Sequence, residues 1–260
     1  MDLEESRKLF GNLGFTWGAV TDKGKVRPNN EDAFHIEPEI GLFLVSDGMG
    51  GHQGGELASK IVTEDLPAMI ETRLHRMKSH RPRAVRAMLK KVVREQSRQL
   101  WLEGQSESGY KEMGATLVLA LLQENRLFMA NLGDSRFYLF RKDRLTQVSK
   151  DHSVISELLE AGRIAPEQVE NHPAQGLITH YVGMEVKADP YLKTFRLESQ
   201  DRLLLCTDGL TDMLPDESIQ ALLKESPSPQ ETCDRLIQAA NEAGGHDNIT
   251  AVVIDSLKKT

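Results

Sequence analysis

The chain has 260 residues, 32 Lys and Arg against 39 Asp and Glu, a formal net charge of -7 and 39% hydrophobic residues. That length supports a real core, and the Leu, Ile and Val content is too high for a disordered chain. The acidic balance argues against a general nucleic-acid binder, which needs positive charge to displace counterions from phosphate. The two cysteines, Cys206 and Cys233, are isolated, so spacing excludes thiolate zinc sites and a disulfide framework.

The N-terminal Met1–Arg7 lacks a cationic start followed by an apolar run, so it does not read as a signal peptide. Phe15–Val20 and Ala33–Glu37 read as short strands, and Leu42–Val45 as a buried strand that stops at Ser46-Asp47-Gly48. Gly48–Gly55 opens a helical segment to about Arg76, which Pro67 should kink or split. Pro82 suits the first turn of a second helix, with Val85, Met88, Leu89, Val92 and Gln96 on one face.

From Gly114 the periodicity changes. Ala115–Leu122, Arg126–Asn131 and Arg136–Arg141 read as three strands with tight connections, the first turn being Gln123-Glu124-Asn125. The apolar run Ala115–Leu122 is far shorter than the roughly 20 residues of a membrane helix, so a soluble, cytoplasmic protein is expected. Ser153–Ala161 reads as a short helix and Gly162–Gly183 as a loop with helical turns. Tyr191–Leu197 and Asp201–Cys206 read as a strand pair, Asp216–Lys224 and Pro229–Ala243 as amphipathic helices, and Asn248–Asp255 as a last strand. Strands in runs favour antiparallel sheets with helices packed outside, and no long linker divides the chain, so one domain over 1–260 is expected.

Acidic residues sit at the predicted strand–loop junctions: Glu31-Asp32, Asp47, Asp134, Asp208 and Asp247, with Asp151 a weaker sixth. Two of them share a pattern. Leu42–Gly48 and Leu203–Gly209 are each four apolar residues, a small residue, then Asp-Gly. Singly, each Asp-Gly is ordinary turn chemistry. Gathered in one partly buried site, the carboxylates would repel unless a cation neutralised them, and oxygen ligands without Cys or clustered His suit Mg²⁺ or Mn²⁺.

The combination resembles a family. Gly24-Lys25-Val26-Arg27-Pro28-Asn29-Asn30-Glu31-Asp32 resembles the opening signature of the metal-dependent serine/threonine protein phosphatases of type 2C. Val45-Ser46-Asp47-Gly48-Met49-Gly50-Gly51-His52 is similar to the second signature in its bacterial form. Met113–Thr116, Asn131–Arg136, Lys150–Ser153, Cys206–Asp212 and Asp247–Thr250 follow in the family's order, covering about residues 15–255.

The resemblance implies an α+β fold, a four-layer α/β/β/α sandwich of two packed antiparallel sheets flanked by helices. It implies two Mn²⁺ or Mg²⁺ ions, with Asp47 between them, Asp208 and Asp247 on the first, and the Gly48 carbonyl and Glu31 on the second. It places Asp32 behind these ligands, orienting metal-bound water, and gives Asp134, with Asp208, a weaker third ion. Arg27 becomes the phosphate-binding arginine, since a planar guanidinium can pair two phosphate oxygens. The implied reaction is hydrolysis of phosphoserine and phosphothreonine in proteins by a metal-activated water, without a phosphoenzyme, opposing a bacterial serine/threonine kinase. Phosphoproteins and that kinase are the expected partners, with neither nucleic acid nor membrane.

Some residues depart from the pattern. Met49 stands where eukaryotic members carry a proposed general-acid histidine, and His52 reads as structural, so leaving-group protonation falls to water. His152 reads as a hydrogen-bonding loop residue. Residues 162–183 fall where bacterial relatives carry a flap, with His180 at a common arginine position. Gly133-Asp134-Ser135 resembles the nucleophile block of a lipase and esterase family, but the late Asp-x-x-His that would supply the base is absent. A degenerate, phosphoprotein-binding domain is disfavoured because Arg27, Asp47, Asp208 and Asp247 are all present, and a nucleotide-phosphate enzyme because the Gly-rich loop lacks its lysine.

Residues 73–98 hold ten Lys and Arg and one acid, Glu95. They read first as the solvated face of two surface helices and second as a docking surface for an acidic partner or phosphorylated substrate.

Overall fold

The computed structural model describes residues 7–10, 13–50, 54–106, 110, 113–169 and 172–258. His52 lies outside them. The elements run β1 (Arg7–Phe10), β2 (Leu13–Asp22), β3 (Asp32–Glu37), β4 (Leu42–Met49), α1 (Gly54–Arg76), α2 (Pro82–Gly104), β5 (Gly114–Ala115), β6 (Leu117–Gln123), β7 (Arg126–Leu132), β8 (Arg136–Arg141) and β9 (Arg144–Gln147). Then come α3 (Val154–Glu160), β10 (Tyr191–Arg196), β11 (Arg202–Cys206), α4 (Asp208–Thr211), α5 (Asp216–Glu225), α6 (Pro229–Glu242) and β12 (Ile249–Lys258).

One antiparallel sheet has the order β1-β2-β12-β11-β8-β9; the other has β10-β7-β6-β4-β3, with β5 paired to β4. The side chains show how four layers arise. Along β6, Leu117, Leu119 and Leu121 pack toward α1 and α2, while Val118, Ala120 and Leu122 pack between the sheets. In β4, Leu42 and Leu44 face the helices and Phe43 and Val45 the inter-sheet core. The second sheet repeats this: Leu203 and Leu205 of β11 point between the sheets, and Leu204 and Cys206 join Ile219, Leu223, Leu236 and Ile237 of α5 and α6. Such strands read as unbroken apolar runs because both faces are buried. The expected four-layer α/β/β/α sandwich is what forms.

Several local expectations need correction. Pro67 does not split the first helical segment; α1 runs from Gly54 to Arg76, with Pro67 buried within it. A proline removes one backbone hydrogen bond, and here the buried Leu66 and Ile70 on either side anchor the helix to the sheet. Tyr191–Leu197 and Asp201–Cys206 do not pair. β10 pairs β7 at one sheet edge, and β11 lies inside the other sheet between β12 and β8. The apolar pattern marked both strands, but non-local pairing chose their partners. β1, β5, β9 and α4 were not foreseen; they are short, between 2 and 4 residues each.

The Glu124-Asn125 turn closes the β6–β7 hairpin, with Glu124 at φ 54°. Ser153 caps α3 through its side chain, as its position before the apolar run predicts. Cys206 and Cys233 are free and buried. Among the described residues no helix is long and apolar enough to cross a membrane.

Candidate active site

The topology brings one end of five strands together. Asp32 opens β3, Asp47 lies near the end of β4, Asp134 sits in the β7–β8 turn, Asp208 follows β11, and Asp247 precedes β12. The two Asp-Gly motifs end differently. β4 continues through Asp47 and Gly48 to Met49, because Asp47 is paired across the sheet with Asp32 and Gly48 with Ala115. β11 stops at Cys206, and Asp208 begins α4. Asp47 is therefore a strand residue, contrary to the expected stop at Ser46.

Gly48 is required by crowding. A Cβ there would fall on the Gly55 backbone and within 2.8 Å of the Glu31 carbonyl oxygen, to which the Gly48 N–H donates at 3.0 Å. The Glu31 carboxylate stands against Gly55 at the start of α1. The Glu31 N–H donates to Asn248 Oδ1 at 2.7 Å, and Asn248 Nδ2 donates to the Asn29 and Lys23 carbonyls at 2.8 and 2.9 Å. One buried asparagine thus ties the Arg27–Glu31 segment to Asp247.

Asp32 is buried, with Oδ2 accepting from Thr207 Oγ1 at 2.8 Å and Thr250 Oγ1 at 2.7 Å. Thr250 also donates its N–H to Thr207 Oγ1 at 2.9 Å. The Asp47 N–H donates to Thr116 Oγ1 at 2.9 Å, and that hydroxyl pairs with Ser135 Oγ at 2.6 Å. Ser135 is 1% exposed. A nucleophile must be reachable, so its place is structural and the acyl-hydrolase alternative has no support.

Burial pushes the Asp32 carboxyl up to about 7, with the two threonine hydroxyls opposing and Asp247 adding to the rise. Burial also raises Asp47 well above the ordinary range, followed by repulsion from Asp32, Asp208, Asp134 and Asp247. Asp208 is raised by burial and then by Asp134, Asp212, Asp32 and Asp247. Asp134 rises to about 6, mainly through burial. Among the described residues, three buried oxygens at this end, Asp32 Oδ1, Asp134 Oδ1 and Asp208 Oδ1, have no hydrogen-bond partner. Arg27, exposed, donates to Asp247 Oδ2 at 2.7 Å.

All eight expected residues, Arg27, Glu31, Asp32, Asp47, Gly48, Asp134, Asp208 and Asp247, meet at this end of the sandwich. Mutually repelling carboxylates with unpartnered oxygens match in kind the oxygen donors a hard divalent cation takes. Among the described residues no three His, Cys, Asp or Glu side chains converge closely enough to hold an ion alone. An open set of this kind suits an ion that keeps several waters.

Asp151, the weaker sixth acid, lines one pocket with Asp134, Asp208 and Asp212 and adds to the rise of Asp134, but is neutralised by Arg136. It accepts from Arg136 Nε and Nη2 at 3.0 and 2.8 Å and anchors the turn beside Asp134. His152 Nδ1 accepts the Gly133 N–H at 3.2 Å, and burial lowers its imidazole to about 4, so it is a neutral acceptor. Its ring lies 5.1 Å from that of His180. Thr116, Thr207, Thr250, Asn248 and Asp212 carry site interactions that sequence reasoning assigned to none of them; each lies within a quoted motif block, which was the available signal.

Residues 19–249 match the family model of protein phosphatase 2C. The chain is 34% identical over 238 residues to a serine/threonine phosphatase of Listeria welshimeri, covering 90% of this chain and 93% of that protein. The crystal structure of the Mycobacterium tuberculosis serine/threonine phosphatase PstP/Ppp is similar at TM-score 0.81 and 37% identity, covering 94% of this chain and 99% of that one. A structure of the PstP catalytic domain in complex with two manganese ions is similar at TM-score 0.78 and 35% identity, over 95% of this chain and 100% of that one.

Proposed function

The chain belongs to the protein phosphatase 2C family and is a serine/threonine protein phosphatase; we propose that it hydrolyses phosphoserine and phosphothreonine in proteins at the carboxylate end of the sandwich, using two Mn²⁺ or Mg²⁺ ions. Asp47 would lie between the ions, Asp208 and Asp247 on the first, Glu31 and the Gly48 carbonyl on the second. Asp134, with Asp208, would hold a weaker third. The observation that carries this reading is the cluster of raised, mutually repelling carboxylates with three unpartnered buried oxygens. It is supported by the two manganese ions of the similar PstP catalytic domain.

Bound there, the ions supply positive charge to the phosphoryl oxygens and lower the pKa of water toward neutrality. The remaining work belongs to the chain. Arg27 stands at the rim, held toward the site by Asp247, where its guanidinium can take two phosphate oxygens and offset charge in the transition state. Asp32, fixed at Oδ2 by two threonines, presents Oδ1 to accept a hydrogen bond from water. Thr116 fixes the Asp47 backbone. Attack on phosphorus would be direct, with no phosphoenzyme: the Ser135 hydroxyl is buried, and the carboxylates would be taken up as ligands of the ions. A phosphoserine or phosphothreonine is made by phosphoryl transfer to a hydroxyl. A bacterial serine/threonine kinase would therefore be the source of the substrate, and we assign the protein to the cytoplasm together with that kinase.

The test is hydrolysis of para-nitrophenyl phosphate after EDTA treatment, followed by Mn²⁺ titration. Activity should vanish in EDTA and return with Mn²⁺, and Asp208→Asn should nearly abolish it while the far-UV circular dichroism is retained. Full activity of Asp208→Asn at limiting metal, or metal-independent turnover, would overturn the assignment. Folded protein that is inactive at every Mn²⁺ concentration would favour a phosphoprotein-binding role.

A further inference from the structure

Outside the carboxylate end, a large concavity lies on the outer helical layer. A cavity of about 900 Å³ opens between α1 and α2. Met69, Met77 and Met88 supply its apolar surface, and Arg76 and Lys91 stand on it exposed. None of its lining residues belongs to the site described above.

The charges here are unequal in their engagement. Arg73 is paired with Glu95 within the cavity wall. Lys90 and Arg94, turned the other way, both reach Asp189 at 2.7 Å. Among the described residues, Arg76 and Lys91 have no carboxylate within ion-pair distance. They belong to a stretch holding ten Lys and Arg and one acid in a chain of net charge -7. Asp65, exposed, also lines the cavity; with Arg73 and Glu95 matched, Arg76 and Lys91 outnumber it and leave the concavity net positive.

A merely solvated helix face needs charge but no apolar cavity. A lone phosphate would be served by the cations without the methionines. Single-stranded nucleic acid would want aromatic platforms, and the lining has none. A membrane surface would meet a protruding apolar face better than a concave one. Methionine suits binding of varied apolar side chains, since it is unbranched and polarizable.

We propose that the α1–α2 groove is a docking site for an acidic amphipathic segment of a partner protein, its apolar side chains seated on Met69, Met77 and Met88 and its carboxylates on Arg76 and Lys91. The helix-in-groove mode provides the geometry, and charge complementarity sets the sign of the partner. This inference stands apart from the phosphatase assignment, because no residue of the groove takes part in it.

The probe is a fluorescein-labelled helical peptide of about 16 residues, long enough to sustain a helix when docked, with Leu along one face and Glu on the other. Fluorescence anisotropy should show saturable binding that weakens with salt. The charge-reversed pair Arg76→Glu and Lys91→Glu should lose about tenfold or more in affinity. The same variant should hydrolyse para-nitrophenyl phosphate as the wild type does, which also establishes that it is folded. With methyl-labelled methionine, the Met69 and Met77 resonances should shift on titration and those of remote methionines should not. A peptide with Lys in place of Glu should fail to bind. Equal affinity of the double variant, unmoved Met69 and Met77 resonances, or no saturable binding would overturn the proposal. So would binding of phosphatidylglycerol vesicles or single-stranded DNA through Arg76 and Lys91 in place of the peptide.

Discussion

Replacing Asp32 with Asn should make the metal-stripped protein more stable at neutral pH. The carboxyl titrates at 3.8 in the unfolded chain and is pushed up to about 7 in the fold, because burial outweighs two threonine hydroxyls. Between these values the native state holds a proton that the unfolded chain has released, so stability falls as pH rises through the window. Each pH unit costs about 1.4 kcal/mol, or about 4 kcal/mol across the window. Below pH 4 both states are protonated and the penalty is absent. Asparagine keeps an oxygen for Thr207 and Thr250, and its amide can face the Asp47 carboxylate without a charge. Urea unfolding in EDTA, run from pH 4 to pH 8, measures the effect. The wild-type curve should decline more steeply than that of Asp32→Asn, the two separating by about 4 kcal/mol at pH 7.5. Parallel curves would refute the argument that Asp32 carries its charge at high cost. Adding Mn²⁺ should reverse the order, since bound cation stabilises the ionised cluster.

Four other substitutions probe different layers. Thr116→Val removes the acceptor of the Asp47 N–H and the partner of Ser135, both deeply placed. It should cost about 1–3 kcal/mol in urea unfolding and raise the Mn²⁺ concentration for half-maximal activity. Arg27→Ala frees Asp247 and removes the guanidinium, so inorganic phosphate should become a weaker competitive inhibitor; an unchanged inhibition constant would remove Arg27 from phosphate binding. Leu119→Ala, at a position with 0% exposure between sheet and helices, should cost about 2–5 kcal/mol, whereas Leu177→Ala, at 53% exposure, should stay within about 0.5 kcal/mol, both read from thermal unfolding.

The site was legible in the sequence because its carboxylates sit in short local motifs at strand ends, and those ends coincide in an antiparallel sandwich. Each motif carries its own turn or pairing instructions: Asp-Gly at Asp47 and Asp208, and the Asn-rich run before Glu31. The supporting hydroxyls were not legible. Thr207 and Thr250 become partners of Asp32 only when β11 and β12 are placed beside β3 across the sheet interface, a contact between residues 175 and 218 positions apart. The same reason explains the error at β10 and β11. Adjacent apolar strands normally pair, but each of these had a longer apolar partner elsewhere, and periodicity carries no information about that competition. Pro67 does not end α1 because propensity describes an isolated helix, while α1 is held by its packed face. The α1–α2 cavity is a property of two surfaces meeting, and only the charge of its rim was visible in the chain.

Residues 162–183 leave and rejoin the body at fixed points. Ser153 bridges Ile178, and Ala115 exchanges both backbone hydrogen bonds with Val182, at 2.9 and 2.8 Å. Ala115 is in turn the ladder partner of Gly48, and the next residue, Thr116, donates its N–H to the Asp47 carbonyl at 2.8 Å. The root of the loop is thus stitched to the same short stretch of backbone that borders the carboxylates. Val169, Gln175 and Gly176, farther out on the loop, line the pocket that holds Asp134 and Asp208. A change at Val182 pulls directly on the backbone beside Asp47, whereas a change at Gln175 reshapes a pocket wall. The fold thereby divides one loop into a part that contours the space around the carboxylates and a part that holds their strand in place.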